Sequence, residues 1–248
     1  MYNPFSLIGK TILITGASSG IGRATAIECS RMGATCILTG RNEERLSQTR
    51  EQLEGTGHLT YCCDLNDETA IKRLCSELPI LDGITHCAGI STLKPIVGIS
   101  DTNLHDIFQT NCFAPILLTK HIVKSKKINI GGSMVFISSI SGNSNVATAL
   151  SAYGSSKSAL TAFVRYAALE LSGKQIRCNA VLPGRIETSL LQNQLLDEEA
   201  IQQDIGKYPL HRYGTPKEVA QSVIYLLSDA TKWITGTCLT IDGGRSLI

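Results

Sequence analysis

The chain has 248 residues, 43% of them hydrophobic and 18% charged, with a formal net charge of +2. This suits one large α/β domain over residues 1–248, with an apolar core on both faces of a sheet. The near-neutral balance gives no basic stripe for nucleic acid and no polybasic membrane anchor.

No apolar stretch reaches the roughly 18 residues that a membrane span needs. The opening MYNPFSLIGK lacks the positive-then-apolar order of a secretory signal. The expected location is the cytoplasm. The nine cysteines are scattered, with no C-x-x-C and no Cys/His cluster at zinc spacing. They read as buried free thiols, and no metal site is expected. The neighbours Cys62 and Cys63 point to opposite faces of a strand.

Residues 11–15, TILIT, read as a strand. It runs into Gly16-Ala17-Ser18-Ser19-Gly20-Ile21-Gly22 and then a helical stretch over 23–32. Gly16, Gly20 and Gly22 permit a tight turn and a close backbone approach to a pyrophosphate. The helix start offers N–H groups and the positive end of its dipole. Glycines kept for packing alone are the competing reading. A second strand, 34–39, leads to Gly40-Arg41-Asn42. Where a dinucleotide site carries an acid for the ribose 2′-OH, this chain has Gly40 with Arg41 beside it. A guanidinium fork suits a 2′-phosphate, so the expected cofactor is NADP(H), with Ser18 and Ser19 as further donors. The alternative use of Arg41 is an ion pair with Glu43 or Glu44.

A polar helix over 43–53 and a strand over 58–62 lead to Asp64-Leu65. Asp64 suits the adenine amino group or the cap of the helix that starts near Asp67 and runs to 78. A strand at 84–87 ends in Ala88-Gly89, and a helix over 101–124 carries Asn111 in its middle. A strand at 133–137 runs into Ser138-Ser139. The helix over 151–171 then places Tyr153 and Lys157 one above the other, at i and i+4. A cation there favours the phenolate and lowers a tyrosine pKa from about 10. Such a tyrosine exchanges a proton with a carbonyl oxygen or an alcohol. Taken alone, the pair equally fits a solvated helix face. A strand at 175–181 ends near Pro183-Gly184. A looser segment over 185–212, a helix over 216–228 and a strand at 238–241 complete the chain. The alternation predicts βαβ units and a mostly seven-stranded, doubly wound parallel sheet covered on both faces. Ligands are expected at the carboxyl ends of its strands.

With these motifs in this order, the chain resembles the classical short-chain dehydrogenase/reductases (SDRs) over almost its whole length. The motifs are TGASSGIG at 15–22, Asp64-Leu65, x-x-A-G at 86–89, Asn111, Ser139, Y-x-x-x-K at 153–157 and Pro183-Gly184. The branch it looks most like is the 3-oxoacyl-(acyl-carrier-protein) reductases. The resemblance implies a single-domain Rossmann fold and hydride transfer between a nicotinamide and a ketone or secondary alcohol. It implies Tyr153 as general acid/base and Ser139 on the substrate oxygen. Lys157 would lower the Tyr153 pKa and hold the nicotinamide ribose. Asn111 would interrupt its helix and hold a relay water. It further implies cofactor contacts from Gly16, Ser18, Ser19, Gly20, Ile21, Gly22, Arg41, Asp64, Leu65, Cys87, Ala88, Gly89, Tyr153, Lys157, Pro183, Gly184, Ile186 and Thr188. Assembly as a homodimer or homotetramer is implied too. Leu160, Phe163, Val164, Ala167, Ala168 and Leu171 then read as a helix with more than one buried side, or as one that the sheet buries entirely.

The family's usual N-N-A-G is His86-Cys87-Ala88-Gly89 here, and the Ser139–Tyr153 spacing is one residue longer than the commonest. The neighbour Ser138 would point the other way if still in the strand, Ser141 on the loop could be a second contact, and Ser139 is the preferred reading. Substrate choice is expected from residues 91–98, 143–150 and 185–213. Leu190, Leu191, Leu195, Leu196 and Ile201 suit an apolar wall or the packing face of a lid helix. Arg185 and Lys94 suit an anionic carrier or plain solvent. A β-ketoacyl thioester, a sugar-like ketone, a polyol, a steroid-like ketone and other small ketones or alcohols all stay open. A catalytically silent dinucleotide-binding regulator is the alternative from another class.

Overall fold

The computed structural model describes residues 2–188 and 198–248. Seven strands form one sheet: β1 (Thr11–Thr15), β2 (Thr35–Gly40), β3 (Leu59–Cys62), β4 (Leu81–His86), β5 (Ile128–Ile137), β6 (Arg177–Pro183) and β7 (Cys238–Ile241). All neighbours are parallel, in the order β3-β2-β1-β4-β5-β6-β7. The winding reverses between β1 and β4, which opens a crevice beyond their carboxyl ends. The described helices are α1 (Gly20–Arg31), α2 (Glu43–Arg50), α3 (Glu68–Glu77), α4 (Asp101–Phe108), α5 (Ala114–Lys124), α6 (Ser151–Glu170), α7 (Glu198–Ile205) and α8 (Pro216–Leu227).

Alternate strand residues feed two cores. Leu13, Ile37, Ile84, Phe136 and Leu182 meet α3, α5 and α6 on one face. Ile12, Ile14, Leu38, Val135 and Val181 meet α1 and α8 on the other. This is why the strands read as continuous apolar runs. The six apolar residues of the Tyr153 helix all pack on the first core. Leu160, Val164, Ala167 and Ala168 are buried there and Phe163 and Leu171 partly so, while Tyr166 and Leu169 are exposed.

Two strands begin earlier than their sequence suggests. β4 starts at Leu81 because the turn-like Asp82 is pinned, accepting from the Thr11 N–H at 2.8 Å and from Asn129 at 2.8 Å. β5 starts at Ile128, ahead of the Gly131-Gly132 pair that hides it. β6 is buried throughout yet carries Arg177 and Asn179. Arg177 donates to the carbonyls of Leu226 and Ser228 and to the Thr231 hydroxyl, closing the end of α8. Asn179 donates to the Ile234 carbonyl and accepts from the Thr237 N–H.

All nine cysteines are free, and Cys62 is exposed rather than buried. Its thiol donates to the Arg41 carbonyl at 3.5 Å. Leu190, Leu191, Leu195 and Leu196 lie outside the described residues. No described helix is long and apolar enough to cross a membrane.

Candidate active site

The glycine turn is a packing necessity as well as an open cradle. The Thr15 hydroxyl accepts from the N–H groups of Cys87 (3.0 Å) and Ala88 (3.1 Å), fastening the end of β4 to that of β1. Gly16, at φ +64°, lies so close to β4 that a Cβ there would stand 2.9 Å from the Ala88 backbone. A Cβ on Gly22 would stand 2.3 Å from the Gly16 carbonyl oxygen. Arg23 donates to the Ser18 carbonyl at 2.7 Å and to Thr49 at 3.1 Å, and Thr49 donates to the Ala17 carbonyl at 3.0 Å. Thr15, Arg23 and Thr49 therefore shape the turn. The hydroxyl closing β1 was the one sequence signal for any of them.

Ser19 precedes α1 without capping it by its side chain, so the first N–H groups of the helix remain for an anion. A cavity of about 240 Å³ lies over this turn. Gly16, Ser18, Ser19, Gly20, Ile21, Gly22, Arg41, Asp64, Leu65, Cys87, Ala88, Gly89 and Thr188 all line it. Arg41 is exposed and makes no ion pair among the described residues, so Glu43 and Glu44 do not consume it. Asp67, not Asp64, caps α3. Asp64 closes a turn onto the Asn66 N–H at 3.0 Å and stays exposed.

A second cavity, of about 410 Å³, adjoins the first through Ile21, Cys87, Gly89, Ile90 and Thr188. Ser139, Tyr153, Lys157, Pro183, Gly184 and Ile186 line it. Ser138 turns its hydroxyl into α6, onto the Lys157 carbonyl (3.0 Å) and Thr161 (2.7 Å). Ser139 is left for the cavity, where its oxygen accepts from the Ser141 N–H at 3.1 Å and its hydroxyl meets the Tyr153 phenol. Two glycines allow that loop to touch α6. A Cβ on Gly142 would lie 2.6 Å from the Ser158 nitrogen, and one on Gly154 would lie 2.6 Å from the Ser141 carbonyl oxygen.

Lys157 is buried and donates to the Ile137 carbonyl at 2.8 Å, with its nitrogen 6.0 Å from the Tyr153 ring centre. Asn111 is fully buried in a π turn, Gln109–Phe113, between α4 and α5. Pro115 has no N–H to give the carbonyl four residues back, which is that of Asn111. The helix takes up an extra residue there. The Asn111 amide accepts from the Ile90 N–H (2.8 Å) and donates to the Ile90 carbonyl (2.9 Å) and to Ser156 (3.1 Å). Ser156 donates in turn to the Tyr153 carbonyl at 2.7 Å. A Cβ on Gly89 would lie 3.2 Å from the Asn111 oxygen and 3.4 Å from the Lys157 nitrogen. All four expected catalytic residues are thus brought together.

Burial lowers the Lys157 pKa to about 8, opposed by the nearby Cys87 and Cys112 thiols. Burial also raises the Tyr153 pKa above its ordinary value, and the Ser139 hydrogen bond only partly offsets this. The expected lowering by Lys157 is therefore not what these protein groups produce. The ammonium is itself desolvated and turned onto a carbonyl, and desolvation of the phenolate wins. The phenol stands as a protonated donor at neutral pH. The two departures at the β4 end differ in kind. His86 is in the core, stacked on Phe136 at 4.4 Å and beside Thr119, with burial holding its pKa near 3. Cys87 faces the cavities, with burial pushing its thiol up to about 12. Arg185 is no solvated charge: it pairs with Asp204 at 2.7 Å, and Tyr213 donates to the same oxygen at 3.0 Å. Lys94 is half-buried, with its N–H on the Ala149 carbonyl at 2.9 Å.

A family profile described as enoyl-(acyl carrier protein) reductase matches residues 16–246. The 3-oxoacyl-(acyl-carrier-protein) reductase of Rickettsia felis is 32% identical over 98% of this chain and 99% of its own. The chain is a short-chain dehydrogenase/reductase. Within the SDR family it lies on the branch of the 3-oxoacyl-(acyl-carrier-protein) reductases. The cyclopentanol dehydrogenase of a Comamonas species is also 32% identical, over 95% of this chain and 96% of its own. Among solved structures, the RhlG/NADP active-site complex of Pseudomonas aeruginosa superposes with a TM-score of 0.92 at 29% identity, covering 99% of this SDR and 100% of that chain.

Proposed function

We propose that this SDR is an NADP(H)-dependent reductase that converts a ketone to a secondary alcohol, in the manner of a 3-oxoacyl-(acyl-carrier-protein) reductase. The observation that carries the reading is the shared cavity of Ser139, Tyr153 and Lys157, opening onto the glycine-turn cavity with Arg41 at its rim. The residues fit a dinucleotide phosphate: the α1 N-terminus suits the pyrophosphate, and Arg41, Ser18 and Ser19 suit the 2′-phosphate. Asp64 and Leu65 would border the adenine, with Ala88 and Gly89 against the adenosine. Tyr153 and Lys157 would hold the nicotinamide ribose, and Pro183, Gly184, Ile186 and Thr188 the carboxamide and nearby phosphates. When bound, the nicotinamide supplies the hydride.

The chain's own share is orientation and proton supply. Ser139 and Tyr153 both donate to the substrate oxygen, which gathers negative charge as the carbonyl is reduced. Tyr153, protonated at neutral pH, gives up its proton there. Lys157, near pKa 8, keeps a cation beside the phenol through neutral pH. The Asn111–Ser156 link holds the first turn of α6 in place, and a relay water at Asn111 belongs to the same proposal. Action on a sugar, polyol or other small ketone or alcohol uses the same machinery. A silent regulator would not need all four residues. The enzyme is proposed to work in the cytoplasm as a homodimer or homotetramer.

The test follows NADPH absorbance with a short β-ketoacyl thioester and with a panel of small ketones, using NADH and Tyr153→Phe as controls. Turnover with NADPH should fall at least about a hundredfold in the variant while NADPH still binds. Full activity in Tyr153→Phe would refute the mechanism.

A further inference from the structure

The cavity that holds Ser139 and Tyr153 has a lining of mixed chemistry. Val146, Ala147 and Leu150 are apolar, whereas Arg185, Lys207 and Arg245 are cationic. Asp204 is the one carboxylate among the described residues of that lining. Its charge is committed: one oxygen takes Arg185 at 2.7 Å and the Tyr213 hydroxyl at 3.0 Å, and Lys207 reaches only the other oxygen, at 3.7 Å. Arg245 donates to the backbone oxygen of Ile248 at 3.2 Å and pairs with no Asp or Glu side chain among the described residues. Between them, the Tyr208 hydroxyl accepts from the Arg185 N–H at 3.2 Å, which leaves its own proton to donate.

Among the described residues, three cations and one side-chain acid thus line the cavity that also holds the reacting groups. The dinucleotide does not account for this surplus. Lys207 and Arg245 are absent from the lining of the glycine-turn cavity, where Arg41 and the α1 N-terminus already provide for phosphates. Surplus positive charge in a recessed site raises the local concentration of anions. Charge-assisted hydrogen bonds from a guanidinium, an ammonium and a phenol suit a carboxylate or phosphate.

Resting on the oxidoreductase reading, we propose that the substrate carries an anionic group, a carboxylate or a phosphate ester, that Lys207 and Arg245 hold while Ser139 and Tyr153 act on its carbonyl. The anion takes no part in the chemistry. The carbonyl carbon gains the hydride, its oxygen gains the Tyr153 proton, and no bond to the anionic group is made or broken.

The test compares kcat/KM, with NADPH, for a homologous series of oxo-carboxylates, their methyl esters and oxoalkyl phosphates, starting from 4-oxopentanoate. The best anionic member should exceed its neutral counterpart by at least about tenfold. The two anion series show which source the lining prefers. The advantage should shrink between low and high salt, and should collapse toward unity in Arg245→Ala and in Lys207→Ala, mainly through KM. Esters reduced as well as acids would overturn this inference and leave the reductase reading standing, as would an acid preference that survives both substitutions. No turnover of any member would overturn this inference alone if the β-ketoacyl thioester or a small ketone is still reduced, and both readings if neither is.

Discussion

Gly154→Ala tests whether the catalytic geometry depends on contact between the Ser139 loop and α6. The added Cβ would lie 2.6 Å from the Ser141 carbonyl oxygen, about 0.8 Å short of ordinary contact, which begins near 3.4 Å. The obstacle is backbone, not a flexible side-chain tip, so the loop must retreat by most of that distance. Ser141 is bonded to the Ser139 oxygen through its N–H, so Ser139 moves with it. A displacement approaching 1 Å at a reacting group costs up to about a hundredfold in rate. Overpacking costs about 1–3 kcal/mol of stability. The expected result is a ten- to hundredfold loss in kcat, with NADPH affinity kept within about threefold, because the glycine-turn cavity lies away from the clash. Stopped-flow NADPH oxidation and fluorescence titration read the two quantities. Gly173→Ala, with nothing within 4 Å of the added carbon, is the control. Wild-type kcat in a folded Gly154→Ala protein would refute the reasoning.

Arg41→Glu should reverse the cofactor preference, lowering the NADPH/NADH ratio of kcat/KM by more than about a hundredfold, since a carboxylate repels the 2′-phosphate and accepts from a free ribose hydroxyl. Arg177→Met should cost about 2 kcal/mol in urea unfolding, because it removes the charge-assisted bonds to the Leu226 and Ser228 carbonyls, which keep only their neutral donors Ser133 and Thr231. His86, neutral in the fold down to about pH 3, takes up a proton on unfolding below its ordinary value of about 6.5. The unfolded state then binds more protons, so stability falls as pH drops through that window. His86→Leu should flatten this dependence between about pH 6 and 4 by up to about 1.4 kcal/mol per pH unit. An unchanged slope would show that the imidazole is protonated in the folded core.

The sequence revealed what repeats and what must be glycine. The β-branched runs and the spacing of turns marked all seven strands, since burial on both faces leaves the central strands largely apolar. The glycine turn, Tyr153 and Lys157 could be read because their roles fix both residue type and spacing. Side-chain partners chosen across long stretches of chain could not. Thr15 acts on Cys87 and Ala88, 72 and 73 residues away, and Asp82 acts on the N–H of Thr11, 71 residues away. Neither has a local periodicity to announce it. Pro115 was visible, but a single proline reads as a break or a kink, and only the packed helix shows that the chain absorbs it as one extra residue at Asn111. The direction of the Tyr153 shift was also out of reach, because it depends on how burial of the phenol compares with the pull of a partly shielded ammonium.

The exposure of Cys62 makes the molecule its own reporter. It is the one exposed thiol among nine cysteines, all of them within the described residues, and it leans on the backbone of Arg41 at the rim of the glycine-turn cavity. A maleimide dye would therefore attach there first, ahead of the half-buried Cys87 and Cys238. It would sit beside the expected 2′-phosphate position, and its emission would follow cofactor arrival directly, independent of turnover.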